Sequence, residues 1–173
     1  MVDCDRPVRR QFPTSQMRKL YYFAYGSNLN LTDFHRFCSR NRFNEGLLNP
    51  LGPARLSEYR LSFSHYSKNR RGGALKLEKM AGGFVEGVVF RVEALQGWLA
   101  LDAKEGAPHR YQRIDVKVAQ QDGTEADATT YIVHSPKRPF FRPTNEYVSI
   151  VAEGLRSFGL CRRELYAAAA HDD

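Results

Sequence analysis

The sequence has few cysteines and no long hydrophobic segment. Cys4, Cys38 and Cys161 are odd in number, widely spaced and form no C-x-x-C pair, so neither a disulfide framework nor a zinc site is indicated. No uninterrupted apolar run is long enough to cross a bilayer. We therefore expect a soluble protein of the reducing cytoplasm, with no metal site and no membrane partner.

The N-terminal segment lacks the apolar stretch that a secretory signal needs. Residues 1–18 are polar and basic and contain two prolines, and we expect them to form a flexible tail. The rest of the 173-residue chain is long enough for one hydrophobic core, and its 42% hydrophobic content fits a globular protein. We predict a single domain over residues 19–170.

Long blocks of like charge are also absent, although the net charge is +7. The excess of positive charge favours anionic ligands. No recognition helix or RNP-like aromatic pattern accompanies it, so we do not expect nucleic acid as a biological partner. An adaptor that acts through a basic surface is the alternative that this charge leaves open.

The most distinctive stretch is the aromatic run 21–25, which stops abruptly at Gly26-Ser27-Asn28. It predicts a buried strand, a tight loop and then a helix that begins near Thr32 and Asp33, where the threonine hydroxyl would cap free backbone N–H groups. The backbone amides of the loop would lie beside the positive end of the helix dipole and could cradle an anion. A P-loop lysine is missing, so a carboxylate fits better than a polyphosphate. A plain turn without a ligand fits the pattern equally well.

The remaining pattern predicts several more strands and helices. Residues 41–53 are rich in Asn, Gly and Pro and indicate an irregular connection. Alternating polarity predicts strands at 59–66, 74–78 and 84–92, with a turn at Gly82-Gly83, and a second pair of strands joined by Asp122-Gly123. Helical periodicity predicts helices over 93–104, stopped by Gly106, after Thr144, and around Leu165. We predict a mixed α/β (α+β) fold with a small curled, mixed or antiparallel, barrel-like sheet and flanking helices.

Several motifs together resemble one protein family. The segment 22–29, Tyr-Phe-Ala-Tyr-Gly-Ser-Asn-Leu, is similar to the N-terminal signature of the γ-glutamylcyclotransferase (AIG2-like) family. The family's later elements follow in order, as Gly87-Val88-Val89-Phe90, Asp102-Ala103-Lys104-Glu105-Gly106, Pro143-Thr144-Asn145-Glu146-Tyr147, and Gly154 with Gly159-Leu160. Cys161 departs from the proline that the family usually has, and the spacing from Glu105 to Tyr111 is short.

The resemblance implies an enzyme without a cofactor that releases 5-oxoproline from a small γ-glutamyl substrate. It implies that Glu105 is the catalytic acid and base, and it favours a homodimer. The substrate-binding residues that it implies are Tyr22, Phe23, Ala24, Tyr25, Gly26, Ser27, Asn28 and Tyr147.

Position in the chain adds a physical argument for Glu105. It ends a predicted helix, where the dipole disfavours negative charge, and burial would raise its pKa further. From the pattern alone, a glutamate before a helix-ending glycine is usually a solvated surface acid, and Tyr147 on its apolar stripe fits a core position equally well. A binding module that has lost turnover is therefore the alternative to an enzyme.

The identity of the leaving amine stays open at this stage. The basic loop contains Lys68, Arg70 and Arg71, and these would favour an anionic leaving group over a polyamine if they faced the pocket. His65 is interpreted as a core or pocket residue, and His109 as a solvated loop residue.

Overall fold

The computed structural model describes residues 20–133 and 139–170 of the chain. The predicted tail, Cys4 and part of the loop predicted after the last strand lie outside these residues. The elements, in order, are β1 (Tyr21–Ala24), α1 (Leu31–Arg40), β2 (Leu48–Ser67), β3 (Gly72–Val92), α2 (Ala94–Glu105), β4 (Gln112–Gln120), β5 (Glu125–Ile132), α3 (Asn145–Ser157) and α4 (Arg163–Ala170).

The five strands form a closed barrel in the order β1-β3-β2-β4-β5. Neighbouring strands are antiparallel except at the closure, where β1 runs parallel to β5 and Tyr22 pairs with Thr129. The predicted mixed, barrel-like sheet with flanking helices is confirmed. Closure matters for the site because it pairs the short aromatic strand β1 on both of its edges.

The prediction of three short strands after residue 53 was wrong, because β2 and β3 are two long strands that pair from Leu48 with Val92 to Ser67 with Gly72. Leu48 to Pro53, predicted to be irregular, lie inside β2. Gly82, predicted to lie in a turn, has a φ of +71° within β3 and donates its N–H to the Glu58 carboxylate across the pair. Register shifts along the ladder absorb these irregular positions without ending the strands.

The helices are capped largely as the sequence predicts. Thr144 caps α3 through its hydroxyl, and α2 ends at Gly106, whose φ is +68°. The cap of α1 differs from the predicted one, because the side chain of Asn30, and not the hydroxyl of Thr32, accepts the N–H of Asp33 at 3.1 Å. The helix therefore starts earlier than predicted, and Asp33 lies in its first turn.

The core fills the barrel and continues beneath the helices. Its fully buried side chains include Phe23, Phe90 and Tyr131 from the strands, with Phe34 from α1 and Leu101 from α2. Within residues 20–133 and 139–170, no helix is both long and apolar enough to span a membrane.

Two glycines fix the loop that follows β1. A Cβ on Gly87 of β3 would lie 2.2 Å from the Ala24 carbonyl oxygen, at the beginning of the loop. A Cβ on Gly154 of α3 would lie 2.7 Å from the backbone of Leu29 and Asn30, at its end. Only glycine permits such close backbone contact, so the loop is held by its neighbours at both ends.

Candidate active site

A small cavity of about 30 Å³ lies where the loop after β1 meets the end of α2. The loop contains a single 3-10 turn over Ser27–Leu29. The cavity is lined by Tyr22, Tyr25, Gly26, Ser27, Asn28, Leu75, Glu105, Tyr111, Tyr131 and Tyr147. Five of these residues are tyrosines and one is a carboxylic acid, so the cavity has rigid walls and a single acidic group.

The carboxyl group of Glu105 is held by Asn28. The Asn28 side-chain nitrogen donates to Glu105 Oε1 at 2.8 Å and to the Tyr22 hydroxyl at 3.0 Å. Asn28 is 2% exposed, and its buried Oδ1 has no hydrogen-bond partner among the described residues. A buried acceptor without a partner is costly, so this oxygen is well suited to accept a hydrogen bond from a ligand in the cavity.

Burial raises the pKa of the Glu105 carboxyl above its ordinary value, although Lys104, the Asn28 hydrogen bond and Arg70 act in the opposite direction. A raised pKa lets a glutamate accept and release protons closer to neutral pH. The direction of the shift agrees with the sequence-based expectation.

The tyrosines that form the opposite wall are fixed by the backbone of β3. The Leu75 N–H donates to the Tyr147 hydroxyl at 3.4 Å, and the Tyr111 hydroxyl donates to the Leu75 carbonyl at 2.9 Å. Burial raises the pKa of Tyr147 to about 12. Both phenols therefore stay neutral at physiological pH and present polar edges to the cavity.

The loop that was predicted to cradle an anion forms a single tight turn. The 3-10 turn is closed by hydrogen bonds from Leu29 N–H to Gly26 and from Asn30 N–H to Ser27. The N–H groups of Gly26, Ser27 and Asn28 donate to no acceptor within residues 20–133 and 139–170. Such consecutive free donors are typical of sites that bind carboxylates or oxyanions.

The small cavity adjoins a larger cleft of about 600 Å³, and Ser27, Glu105, Tyr111 and Tyr147 line both. The cleft lies between α1, the loop that joins β2 to β3, and the residues that follow α2. Glu105 consequently lies at the junction of a narrow recess and an open cleft. A ligand that reached both would pass beside its carboxyl group.

An ion triad supports the wall of the cleft. Asp33 of α1 accepts from Lys104 Nζ at 2.7 Å and from Arg70 Nη2 at 3.0 Å. The Lys104 side chain is 8% exposed and that of Asp33 is 11% exposed. Burial raises the pKa of Asp33, but the two cations outweigh it and hold that pKa below its ordinary value. The triad joins α1, the β2–β3 loop and the residue next to Glu105.

Most of the predicted site residues come together around the small cavity. Phe23 and Ala24 are the exceptions, because both are fully buried in the barrel core and line neither cavity. Phe23 packs its ring beside Gly87. Lys68 and Arg70 line the large cleft, whereas Arg71, at a φ of +54°, does not. His65 lines the cleft and His109 does not.

Sequence reasoning missed several residues of the site. Tyr111 lines both cavities, yet in the sequence it is only the first residue of an alternating strand pattern. Leu75 contributes mainly through its backbone N–H and carbonyl groups, which a residue of another type would also provide. Asp33 and Lys104 are 71 positions apart, so their pairing depends on tertiary structure. Within the described residues, no group of three or more His, Cys, Asp or Glu side chains is arranged to hold a metal ion.

Comparison with known proteins places the chain in a family. Residues 22–149 match the family described as gamma-glutamyl cyclotransferase, AIG2-like. The chain is 30% identical over 148 residues to the human protein named gamma-glutamylcyclotransferase, covering 80% of this chain and 71% of that protein. The mouse protein of the same name is 28% identical over 148 residues, with the same coverage.

Solved structures agree with the sequence matches. A structure described as gamma-glutamyl cyclotransferase superimposes with a TM-score of 0.74 at 27% identity and covers 89% of this chain and 88% of its own. YkqA from Bacillus subtilis superimposes with a TM-score of 0.69 at 25% identity, covering 89% of this chain and 54% of that one. The barrel and the sequence motifs therefore agree, and this chain belongs to the gamma-glutamyl cyclotransferase, AIG2-like family.

Proposed function

We propose that the protein is a γ-glutamyl cyclotransferase. In this reaction the α-amine of a γ-glutamyl group attacks its own γ-carbonyl, and the products are 5-oxoproline and a free amine or amino acid. The observation that carries the proposal is Glu105, a carboxyl group with a raised pKa that Asn28 holds at the junction of the recess and the cleft. Family membership supports the same assignment.

Glu105 moves the protons. It accepts a proton from the substrate ammonium, which frees the amine lone pair to attack the γ-carbonyl carbon and form the ring bond. The carbonyl electrons move to oxygen and give a tetrahedral intermediate. Glu105 then donates the proton it holds to the departing nitrogen, and the old amide bond breaks as the carbonyl re-forms. The ring nitrogen loses its extra proton to Glu105, which passes it to the free amine and so returns to its starting state. One carboxyl group that accepts and donates in turn is sufficient, and no cofactor takes part.

The loop after β1 orients the substrate. We assign the free N–H groups of Gly26, Ser27 and Asn28 to the substrate α-carboxylate or to the oxyanion of the intermediate. The unpartnered Oδ1 of Asn28 would accept from the α-ammonium group. That contact would keep the ammonium beside Glu105, because the same side chain holds both. Tyr22, Tyr25 and Tyr147 would enclose the folded γ-glutamyl chain.

A binding module that holds γ-glutamyl groups without turnover is the second candidate. The same cradle and orphan acceptor favour it. The presence of Glu105, with its raised pKa, favours the enzyme, because binding alone needs no group that exchanges protons.

The test is release of 5-oxoproline from γ-glutamyl amino acids, γ-glutamyl amines and glutathione by the wild type and by Glu105→Gln. We expect release by the wild type and a loss of about 10³-fold in the variant, in the range found for general acid and base groups. Binding of the substrates to Glu105→Gln is measured by calorimetry. Binding to both proteins with release by neither would favour the binding module.

A further inference from the structure

The large cleft carries a strong excess of positive charge. Its charged lining residues are six cations, Arg36, Arg40, Lys68, Arg70, Lys104 and Arg110, and two carboxylates, Asp33 and Glu105. One of the carboxylates, Asp33, is shared by two of the cations. The other, Glu105, accepts a hydrogen bond from the Asn28 side chain at the junction with the recess.

Four of these cations are available to a ligand. The side chains of Arg36, Arg40, Lys68 and Arg110 form no ion pair with any carboxylate in residues 20–133 and 139–170. They come from three separate segments: α1, the loop between β2 and β3, and the turn after α2. Charges of one sign that converge on one concave surface concentrate an oppositely charged ligand there.

The distribution of charge differs between the recess and the cleft. The recess is lined by tyrosines, loop backbone and Glu105, and it contains no cationic side chain. All six cations lie on the cleft side of Glu105. In the proposed reaction, the group on that side of the scissile bond is the part of the substrate that departs.

We infer that the preferred leaving group is an amine with at least two carboxylates, such as an acidic amino acid, bound by the cations of the cleft. This inference rests on the proposed function and specifies its substrate class. Two carboxylates can form ion pairs with more of the four unpaired cations than the single carboxylate of a simple amino acid can. A polyamine leaving group is disfavoured, because it would bring positive charge into a cleft that already has an excess of it.

The specificity test compares substrates that share the γ-glutamyl group. Wild type is assayed for kcat/KM with γ-glutamylglutamate, γ-glutamylalanine and γ-glutamylethylamide, whose leaving groups carry two, one and no carboxylates. The variant is Arg36→Gln/Arg40→Gln, because both residues are exposed on α1 and glutamine preserves helix propensity. The control is Arg156→Gln, an exposed arginine in the last turn of α3 that does not line the cleft.

We expect kcat/KM to rise with the number of carboxylates. In the double variant, the ratio of γ-glutamylglutamate to γ-glutamylethylamide should fall about fivefold, in keeping with the loss of two partly solvated ion pairs. Added salt should reduce the same ratio in the wild type. Arg156→Gln should leave both the ratio and the turnover of γ-glutamylethylamide unchanged, whereas the double variant should reduce kcat/KM less for γ-glutamylethylamide than for γ-glutamylglutamate. Equal kcat/KM for the three substrates, or an unchanged ratio in the double variant, would overturn the inference.

A binding measurement separates this inference from the proposed reaction. The Kd values of γ-glutamylglutamate and γ-glutamylethylamide are measured on Glu105→Gln, with and without the two arginine substitutions. If no substrate releases 5-oxoproline, the proposed function fails, and the ratio of these Kd values still tests the cleft. A ratio of one would reject the inference even for a protein that turns over the substrates.

Discussion

The side-chain nitrogen of Asn28 lies 2.8 Å from Oε1 of Glu105, although 77 positions separate the two residues in sequence. The contact joins the loop after β1 to the last residue of α2. Because the same amide group also reaches Tyr22, the orientation of Glu105 depends on the conformation of the loop. Because residue 28 lies in direct contact with the Glu105 carboxyl group, a charge introduced at residue 28 should change the pKa of Glu105.

Asn28→Asp tests that control. The substitution is nearly isosteric and places a second carboxyl group beside Glu105, so repulsion should raise the pKa of Glu105 further. The acidic limb of the pH profile of kcat/KM should then move to higher pH. Each unit of movement lowers the ionised fraction on that limb about tenfold. Tyr22→Phe is the control, because it preserves the bond between Asn28 and Glu105. An acidic limb that stays in place in Asn28→Asp would contradict this coupling.

Glu105→Gln should stabilise the protein at neutral pH while it removes activity. The folded-state pKa of Glu105 is raised, so the folded protein resists ionisation of this group. Below the unfolded pKa, near 4.5, the group is neutral in both states and costs nothing. As the pH rises through the folded pKa, stability is lost. We therefore expect a higher Tm for the variant at pH 7, and little difference at pH 4. A lower Tm for Glu105→Gln at pH 7 would show that the carboxylate stabilises the fold.

Asp33→Asn should destabilise the protein by about 3 kcal/mol at pH 7, because it leaves Lys104 buried without its partner. The pKa of Asp33 is lowered, so its contribution is complete above its unfolded pKa and is lost as the pH falls through the folded value. Urea unfolding at pH 7 measures the effect. Asp127→Asn is the matched control, since the Lys117–Asp127 pair is more than 60% exposed and should contribute less than about 1 kcal/mol. Equal effects of the two substitutions would contradict the role of burial.

Glu78→Gln should show a pH-dependent loss of stability at a different place in the barrel. Burial raises the pKa of Glu78, but hydrogen bonds from Ser64, Arg60, Ser62 and Lys76 lower it to about 2. After allowance for solvent screening at this partly exposed site, we expect a loss of about 1 to 2 kcal/mol at pH 7. The difference between wild type and variant should shrink as the pH falls from about 4.5 towards 2. A difference that is constant over that range in urea unfolding would rule out the ion cluster as its source.

The sequence alone is enough to predict the helix ends that depend on local chemistry. Thr144 caps its helix and Gly106 ends another because hydroxyl and left-handed backbone requirements are local. The same local rules failed at Leu48 to Pro53, because pairing with β3 outweighs the turn preferences of proline and glycine. They failed again at Gly82, where a bulged ladder continues through a residue with positive φ.

Part of the candidate site could likewise be predicted from the sequence, and part could not. The loop after β1 is recognisable because its residues are contiguous. Glu105 is recognisable through the motif Asp102-Ala103-Lys104-Glu105-Gly106, because its place before a helix-ending glycine would by itself indicate a solvated acid. The triad of Asp33, Arg70 and Lys104 could not be predicted, because its members belong to three elements that only the closed barrel brings together. The charge difference between recess and cleft is likewise a property of the folded surface.

The glycine contacts of the loop after β1 have a thermodynamic consequence for ligand binding. Gly87 and Gly154 allow neighbouring backbone to press against the two ends of this loop, so its backbone is ordered as soon as the chain folds. The conformational entropy of the loop is therefore lost during folding, and a ligand does not have to offset it on binding. Affinity for the γ-glutamyl group can then be obtained from a small recess with only a few polar contacts.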